Sequence, residues 1–343
     1  MKLRKNQGFT LVEVLVAMLI ATTLMLAVVR LFTRIGETFD MNAEAMQLME
    51  STRVALRFVK SDLTQAGYMG CLQTDVDITS KPLDKRIGTT TNRRPNSYWG
   101  VSGVDGGANP DTLSLFYMQD LDIRLLLTDA TGSLTGTPSF IVDSYNVFDA
   151  SGNAVIDAGD WLVVGDCAKA TSFILTNSPQ EIGAGGVGLG ADAVLGNGNV
   201  SVLQFTTGLS FGGFFNQESQ RSVVEGKYTP SAGGGAAMIG RYVDVTYLVG
   251  PSVIDSGATQ SLFRLVNGEA PSTTNEIVRL VTDFQITYGI DTDDDGVADR
   301  TLNALAGETV NNKPVQVQVA ITLDAENSSQ ELVNIVNIRN KGL

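Results

Sequence analysis

The chain begins Met1-Lys2-Leu3-Arg4-Lys5-Asn6-Gln7-Gly8-Phe9-Thr10-Leu11-Val12-Glu13 and continues as an apolar run to Val29, with Arg30 closing it. Three basic residues, Lys2, Arg4 and Lys5, precede that run, so the positive-inside rule holds the short N-terminus in the cytoplasm and sends the rest of the chain across the membrane. From Phe9 to Val29 is about 21 residues, which at ~1.5 Å per residue reaches the ~30 Å of a bilayer core. A secretory peptide removed whole has a shorter apolar core followed by a small-residue cleavage site, and this segment lacks both features. The apolar segment is therefore expected to stay and to act as an anchor. Glu13 stands out within it, because a carboxylate in a spanning helix is costly and marks a function with a partner.

Outward from the anchor, Phe9 to about Ala66 contains no proline and one glycine, Gly36, which predicts a nearly continuous helix. Met41, Ala45, Leu48, Thr52, Ala55, Val59 and Leu63 recur at steps of three or four, so the half beyond the membrane is amphipathic. After Gly67 the pattern changes to short runs of Val, Ile, Phe and Tyr between Gly, Asn, Asp and Ser turns. Strands are predicted at 113–118, 140–143, 161–164, 172–175, 200–206, 241–249, 261–266, 277–288, 315–323 and 332–338. The fold class is α+β: one long N-terminal helix packed against a β-rich, mainly antiparallel head. The chain divides into three parts: residues 1–8 as a leader, 9–66 as the helix with 9–29 spanning the membrane, and 67–343 as the head.

Composition excludes several functions. Histidine is absent, which removes Ser-His-Asp and Cys-His catalysis and every imidazole metal site. Lys and Arg total 24 against 37 Asp and Glu, a net charge of −13 that repels nucleic-acid backbones, so no direct nucleic-acid binding is expected. The two cysteines, Cys71 and Cys167, are too few for a zinc site and too far apart for a redox CxxC pair, which leaves one disulfide or two thiols. The glycine tracts 183–190 and 231–235 lack the Lys-Ser/Thr ending of a phosphate-binding loop and read as surface loops.

The hexapeptide Gly8-Phe9-Thr10-Leu11-Val12-Glu13 resembles the cleavage and methylation motif of type IV pilins and type II secretion pseudopilins. The resemblance implies that a prepilin peptidase cuts after Gly8 and methylates the new amino terminus at Phe9, and that Glu13 serves assembly. Physics supplies a reason: cleavage creates an ammonium at Phe9, and a lipid-embedded Glu13 is satisfied by the corresponding ammonium of a neighbouring subunit. Further segments narrow the resemblance to the large minor pilins called PilW. They are Ser61-Asp62-Leu63 with Ala66-Gly67-Tyr68-Met69-Gly70-Cys71, Gly159 through Cys167, Tyr288-Gly289-Ile290-Asp291-Thr292-Asp293 and Val336-Asn337-Ile338-Arg339-Asn340. About half the chain matches nothing in that family.

The resemblance implies a subunit of the type IV pilus, part of a tip or priming complex that supports assembly, twitching motility and adhesion, and not an enzyme. Its expected partners are other minor pilins, the major pilin, the prepilin peptidase, the inner-membrane assembly platform and a tip adhesin. Its expected location is the inner membrane, single-pass with the head in the periplasm, and then the extracellular pilus. A Cys71–Cys167 bridge in the oxidising periplasm would tie head to stalk. The alternatives are a type II secretion pseudopilin and a membrane-tethered enzyme using carboxylates such as Asp291 and Asp295.

One segment points to a metal. Asp291-Thr292-Asp293-Asp294-Asp295-Gly296-Val297-Ala298-Asp299 places carboxylates of Asp291, Asp293, Asp295 and Asp299 at loop positions 1, 3, 5 and 9, with a glycine at 6 and the Val297 carbonyl at 7. Position 12 is Leu302, so the bidentate Glu of an EF-hand is missing. The expectation is a structural Ca²⁺ in a short loop; the alternative is a solvated acidic turn. A weaker oxygen-rich turn runs from Asp149 through Asn153 and Asp157 to Asp160.

Overall fold

A computed structural model describes residues 11–68, 100–129, 139–165, 170–183, 199–204, 210–211, 214–215, 237–293, 295–305, 313–325 and 328–338. Helix α1 runs from Leu11 to Gln65, 55 residues without a break. Strong helix formers and the absence of proline carry it, and at ~1.5 Å per residue it is about 80 Å long. It stops where the sequence changes: Gly67 adopts a left-handed φ of 74°, and its amide donates to the Phe116 carbonyl at 2.8 Å. The chain leaves the helix already bonded to the head.

The strands, in chain order, are β1 (Val101–Val104), β2 (Thr112–Asp129), β3 (Ser139–Asp143), β4 (Trp161–Gly165), β5 (Ala170–Ile174), β6 (Gln180–Gly183), β7 (Asn199–Gln204), β8 (Ser210–Phe211) and β9 (Phe214–Phe215). They continue as β10 (Met238–Pro251), β11 (Gln260–Val266), β12 (Glu276–Arg279), β13 (Val281–Asp291), β14 (Arg300–Leu302), β15 (Lys313–Ala325) and β16 (Ser328–Asn337). All the described pairings are antiparallel, which agrees with the predicted α+β class.

Ten strands form the larger sheet, with β2 and β10 as its spine. Along its length β10 pairs β2 on one side and, on the other, β4 and then β11. A register shift between Ile239 and Gly240, opposite Asp122 at a φ of 51°, bends the spine. The bend separates two cores. One, around Phe140, Phe173, Leu162 and Ile239, belongs to the far lobe; the other is shared with the helix.

The smaller sheet has the order β14-β13-β15-β16. Its inner face, including Phe284, Ile286, Val317, Val319, Ile321 and Val336, packs with the C-terminal part of α1. Leu48, Thr52, Ala55, Leu56, Val59, Asp62 and Leu63 are the buried helix residues. The amphipathic stripe is thus real but starts later than its sequence period suggests: Met41 is exposed and Ala45 only half-buried. The predicted strand 277–288 is likewise two strands. Leu280 adopts a φ of 65° between β12 and β13, and that corner carries the chain from the larger sheet to the smaller. A left-handed leucine is costly, and the Asp324 amide donating to the Leu280 carbonyl at 2.9 Å helps hold it.

Candidate assembly helix and acidic loop

From Leu11 to Ala43 every residue of α1 is exposed, apolar ones included, whereas the C-terminal turns are set into the head. The helix is long and apolar enough to cross a membrane, and its apolar window is covered by nothing else in the described chain. Polar hydroxyls in this half are satisfied internally. Thr22, Thr23 and Thr33 donate to the carbonyls of Leu19, Ile20 and Arg30 at 2.9 Å, as a segment in lipid requires. Glu13 lies in the first described turn of the helix. Gly8 and Phe9 lie outside the described residues, as do Cys71, Cys167 and the glycine tracts 184–190 and 231–235.

At its other end the helix carries a buried acid. Asp62, 4% exposed, is held by Arg264 of β11 through two bonds, Nε to Oδ2 at 2.7 Å and Nη2 to Oδ1 at 3.0 Å. Tyr117 of β2 donates to Oδ1 at 3.2 Å and Tyr247 of β10 to Oδ2 at 2.5 Å. Four donors from three strands therefore converge on one carboxylate of the helix, and such a two-pronged Arg pair fixes orientation as well as charge. The environment answers in kind. Burial and the Asp62 charge push the Tyr117 phenol up to about 12 and the Tyr247 phenol higher still, while the hydrogen bond to Asp62 raises the Arg264 guanidinium. Sequence reasoning placed Asp62 in a motif but missed this role. The available signal was an acid between Val59 and Leu63 on a buried stripe; its partner lies 202 residues away.

The acidic segment forms the turn between β13 and β14. Asp291, 2% exposed, accepts the Asp293 amide on Oδ1 at 3.2 Å and the Gly296 amide on Oδ2 at 2.7 Å. Gly296 has a φ of 82°, which the sharp bend requires. Asp295 turns to its own loop, accepting the Val297 amide at 2.7 Å. Asp299 accepts both the hydroxyl and the amide of Thr292, at 2.6 and 2.8 Å, which hold its carboxyl below the usual range. Of the expected ligand set, Asp291, Asp293 and Asp299 bring carboxylate oxygens within 4.8 Å of one another, and Asp295 is not part of that group. Three convergent carboxylates suit a hard cation. The weaker turn is built differently: Asp160 pairs with Arg241 at 3.2 Å, so a guanidinium already supplies the positive charge there.

Comparison with known proteins adds two matches. The prokaryotic N-terminal methylation motif matches residues 3–29, and the family described as Type IV Pilus-assembly protein W matches residues 246–340. No curated protein and no solved structure matches the chain. The first match covers the bare apolar end of α1. The second covers β11 through β16 with most of the sheet face that receives the helix, Arg264 and the acidic loop. The chain therefore joins an end similar to a pilin's processing and anchoring segment to a head that matches a pilus-assembly family over its last strands, and the two matches together support a type IV pilus minor pilin of the PilW family.

Proposed function

We propose that a prepilin peptidase cuts this chain after Gly8 and methylates Phe9, and that α1 then anchors it in the inner membrane with its head in the periplasm. From there it enters a pilus filament. The observation that carries this reading is the division of one helix into a bare apolar half and a half seated in the head. Glu13 is the register residue: in lipid it pairs with the methylated ammonium of a neighbouring subunit, and that pair forms only when both members are present. The two matched families are structural components of pili, and the chain works by assembling rather than by catalysis.

Placement in a tip or priming complex rests on size, since a head of about 270 residues would crowd a tightly packed shaft. Motility and adhesion are functions of the assembly it joins. Its neighbours are other pilins, a tip adhesin and the inner-membrane platform. The PilW match favours a pilus over a type II secretion pseudopilus. A Cys71–Cys167 bridge ties head to stalk, and Asp291, Asp293 and Asp299, with the Val297 carbonyl and Asp295 at hand, hold a structural Ca²⁺.

Mass spectrometry of the mature N-terminus tests the processing step: a peptide beginning with methylated Phe9 is expected, and an intact Met1 would overturn it. Glu13→Ala should leave membrane insertion intact and abolish recovery of the protein in sheared filaments. Unchanged recovery would remove the register role. For the metal, chelation should lower the melting temperature of the native protein and Asp293→Ala should abolish that response; no shift on chelation rejects it.

A further inference from the structure

Between the expected end of the membrane span at Val29 and Leu48, the first buried residue of α1, lies a neck of about 18 residues, or ~27 Å. Its residues divide between two sides of the helix. Arg30, Glu37 and Glu44, at steps of seven and then four, continue the line of Leu48, Thr52 and Ala55 that enters the head, and Arg34 and Asp40 flank them. On the side away from that line Phe32, Phe39 and Met46 recur every seven residues, and Ile35, Asn42 and Met49 recur at the same step three residues later. Phe32, Phe39 and Met46 are 69%, 70% and 71% exposed, and Ile35 and Met49 are 41% and 36% exposed. Lipid cannot cover them all, because Phe39 and Met46 stand ~15 and ~26 Å beyond Val29. A strict seven-residue repeat of large apolar side chains along a helix is the seam of a left-handed coiled coil.

We propose that the occupant of this seam is the same neck of a second copy of the chain, running parallel to the first and level with it. The two-fold axis of such a pair lies along the stems, so both apolar ends enter one membrane. The two heads sit on the far sides of their own helices and point away from each other. Charge fits a copy. Level pairing brings each residue of the seam near its twin, yet the positions beside it, Leu31, Gly36, Thr38, Ala43 and Ala45, are uncharged, and all five charges of the neck lie off it. Asn42 sets the level: opposite its twin each amide finds a donor and an acceptor, whereas a shift of one heptad buries it against Ile35 or Met49. The next residues in the series, Arg53 and Lys60, would face their own like charges, so the seam ends at Met49, where the head begins. Two copies offer on the order of 1,000 Å² of apolar surface, the low end for a specific contact, and a shared membrane adds effective concentration. The pair rests on α1 as the membrane anchor, and on neither cleavage at Gly8 nor Glu13.

Cysteine cross-linking of the full chain in its membrane tests the face and the level of the contact. Under a mild oxidant Ile35→Cys should give a dimer several-fold above the parent chain, whose own Cys71 and Cys167 set the background, because opposed seam residues come within disulfide reach. Glu37→Cys should stay at background, since it lies on the head's side of the helix. A tagged Phe32→Cys chain made together with an untagged Phe39→Cys chain should give no mixed dimer, because the two positions are ~10 Å apart along level stems. Adding Phe39→Glu and Met46→Glu to Ile35→Cys should abolish the dimer while thermal unfolding of the head is unchanged, since both side chains are exposed. No dimer from Ile35→Cys while the chain stays in the membrane, equal cross-linking by Glu37→Cys, a mixed Phe32–Phe39 dimer, or cross-linking only to a different protein overturns the proposal. Release of the parent chain from the membrane by alkaline carbonate overturns the anchoring of α1, and the pair with it.

Discussion

The two halves of α1 are similar in kind and opposite in fate. Leu19 and Leu26 are 66% and 60% exposed, while Leu56 and Leu63, further along the same helix, are 5% and 0% exposed. Propensity cannot explain this, because both halves are good helix. The difference is the sheet: β15 and β16, with help from β12 and β2, cover the second half, and nothing in the described head reaches the first. One continuous element thus has a stretch stabilised by the described head and a stretch that no described residue of the head covers.

The comparison breaks most severely in the packing. Leu63→Ala should cost about 2–5 kcal/mol, because Leu63 is fully buried. Next is Asp62. Asp62→Asn leaves the half-buried Arg264 and the Tyr117 and Tyr247 hydroxyls without their anion, and a loss of about 1–3 kcal/mol is expected from denaturant titration. Asp62→Leu combined with Arg264→Met should recover much of it, since an apolar pair of similar volume tolerates burial. A recovery no better than the single variants would show that the pair sets the helix's position rather than merely filling space.

An alkaline titration sharpens the same contrast. The phenols of Tyr117, Tyr247 and Tyr288 ionise above pH 10 when unfolded and are raised in the folded head. Groups raised by folding stabilise below their unfolded value and lose that contribution as pH climbs towards the folded one. Unfolding should therefore become easier from about pH 10 upward, by ~1.4 kcal/mol per pH unit for each phenol, and Tyr247→Phe should flatten the slope by one such share. Tyrosinate absorbance appearing well before unfolding would count against it. The smallest effect belongs to the bare half: Leu19→Ala should change head stability by less than ~0.5 kcal/mol in detergent, yet weaken filament recovery.

Much of this was legible in the sequence because the signals are local. Unbroken helix formers with one glycine gave α1 nearly to the residue, and Gly67 marked its end. Alternation of Val315, Val317, Val319 and Ile321 with polar neighbours gave β15. What stayed hidden depends on distant chain. Nothing near residues 119–129 says that β2 outruns its predicted end at Met118, because its continuation is held by β10 and then β3. The left-handed Leu280 breaks no local rule that a strand predictor sees, and β1, with glycine at its centre, reads as loop. In the acidic turn the spacing put Asp291, Asp293, Asp295 and Asp299 in one set; the carboxylates of Asp291, Asp293 and Asp299 lie together, whereas Asp295 accepts the Val297 amide, a local bond that spacing alone does not reveal. Asp62 needed Arg264, Tyr117 and Tyr247, residues that only the tertiary fold delivers.

The junction at the end of α1 has a mechanical consequence. A rod about 80 Å long is clamped over its last few turns, so a pull on its far end loads the clamp in shear at Asp62 and the Gly67 amide rather than peeling strands one by one. Force along the stem therefore enters the head through one carboxylate cluster and one amide, both close to the end of the helix.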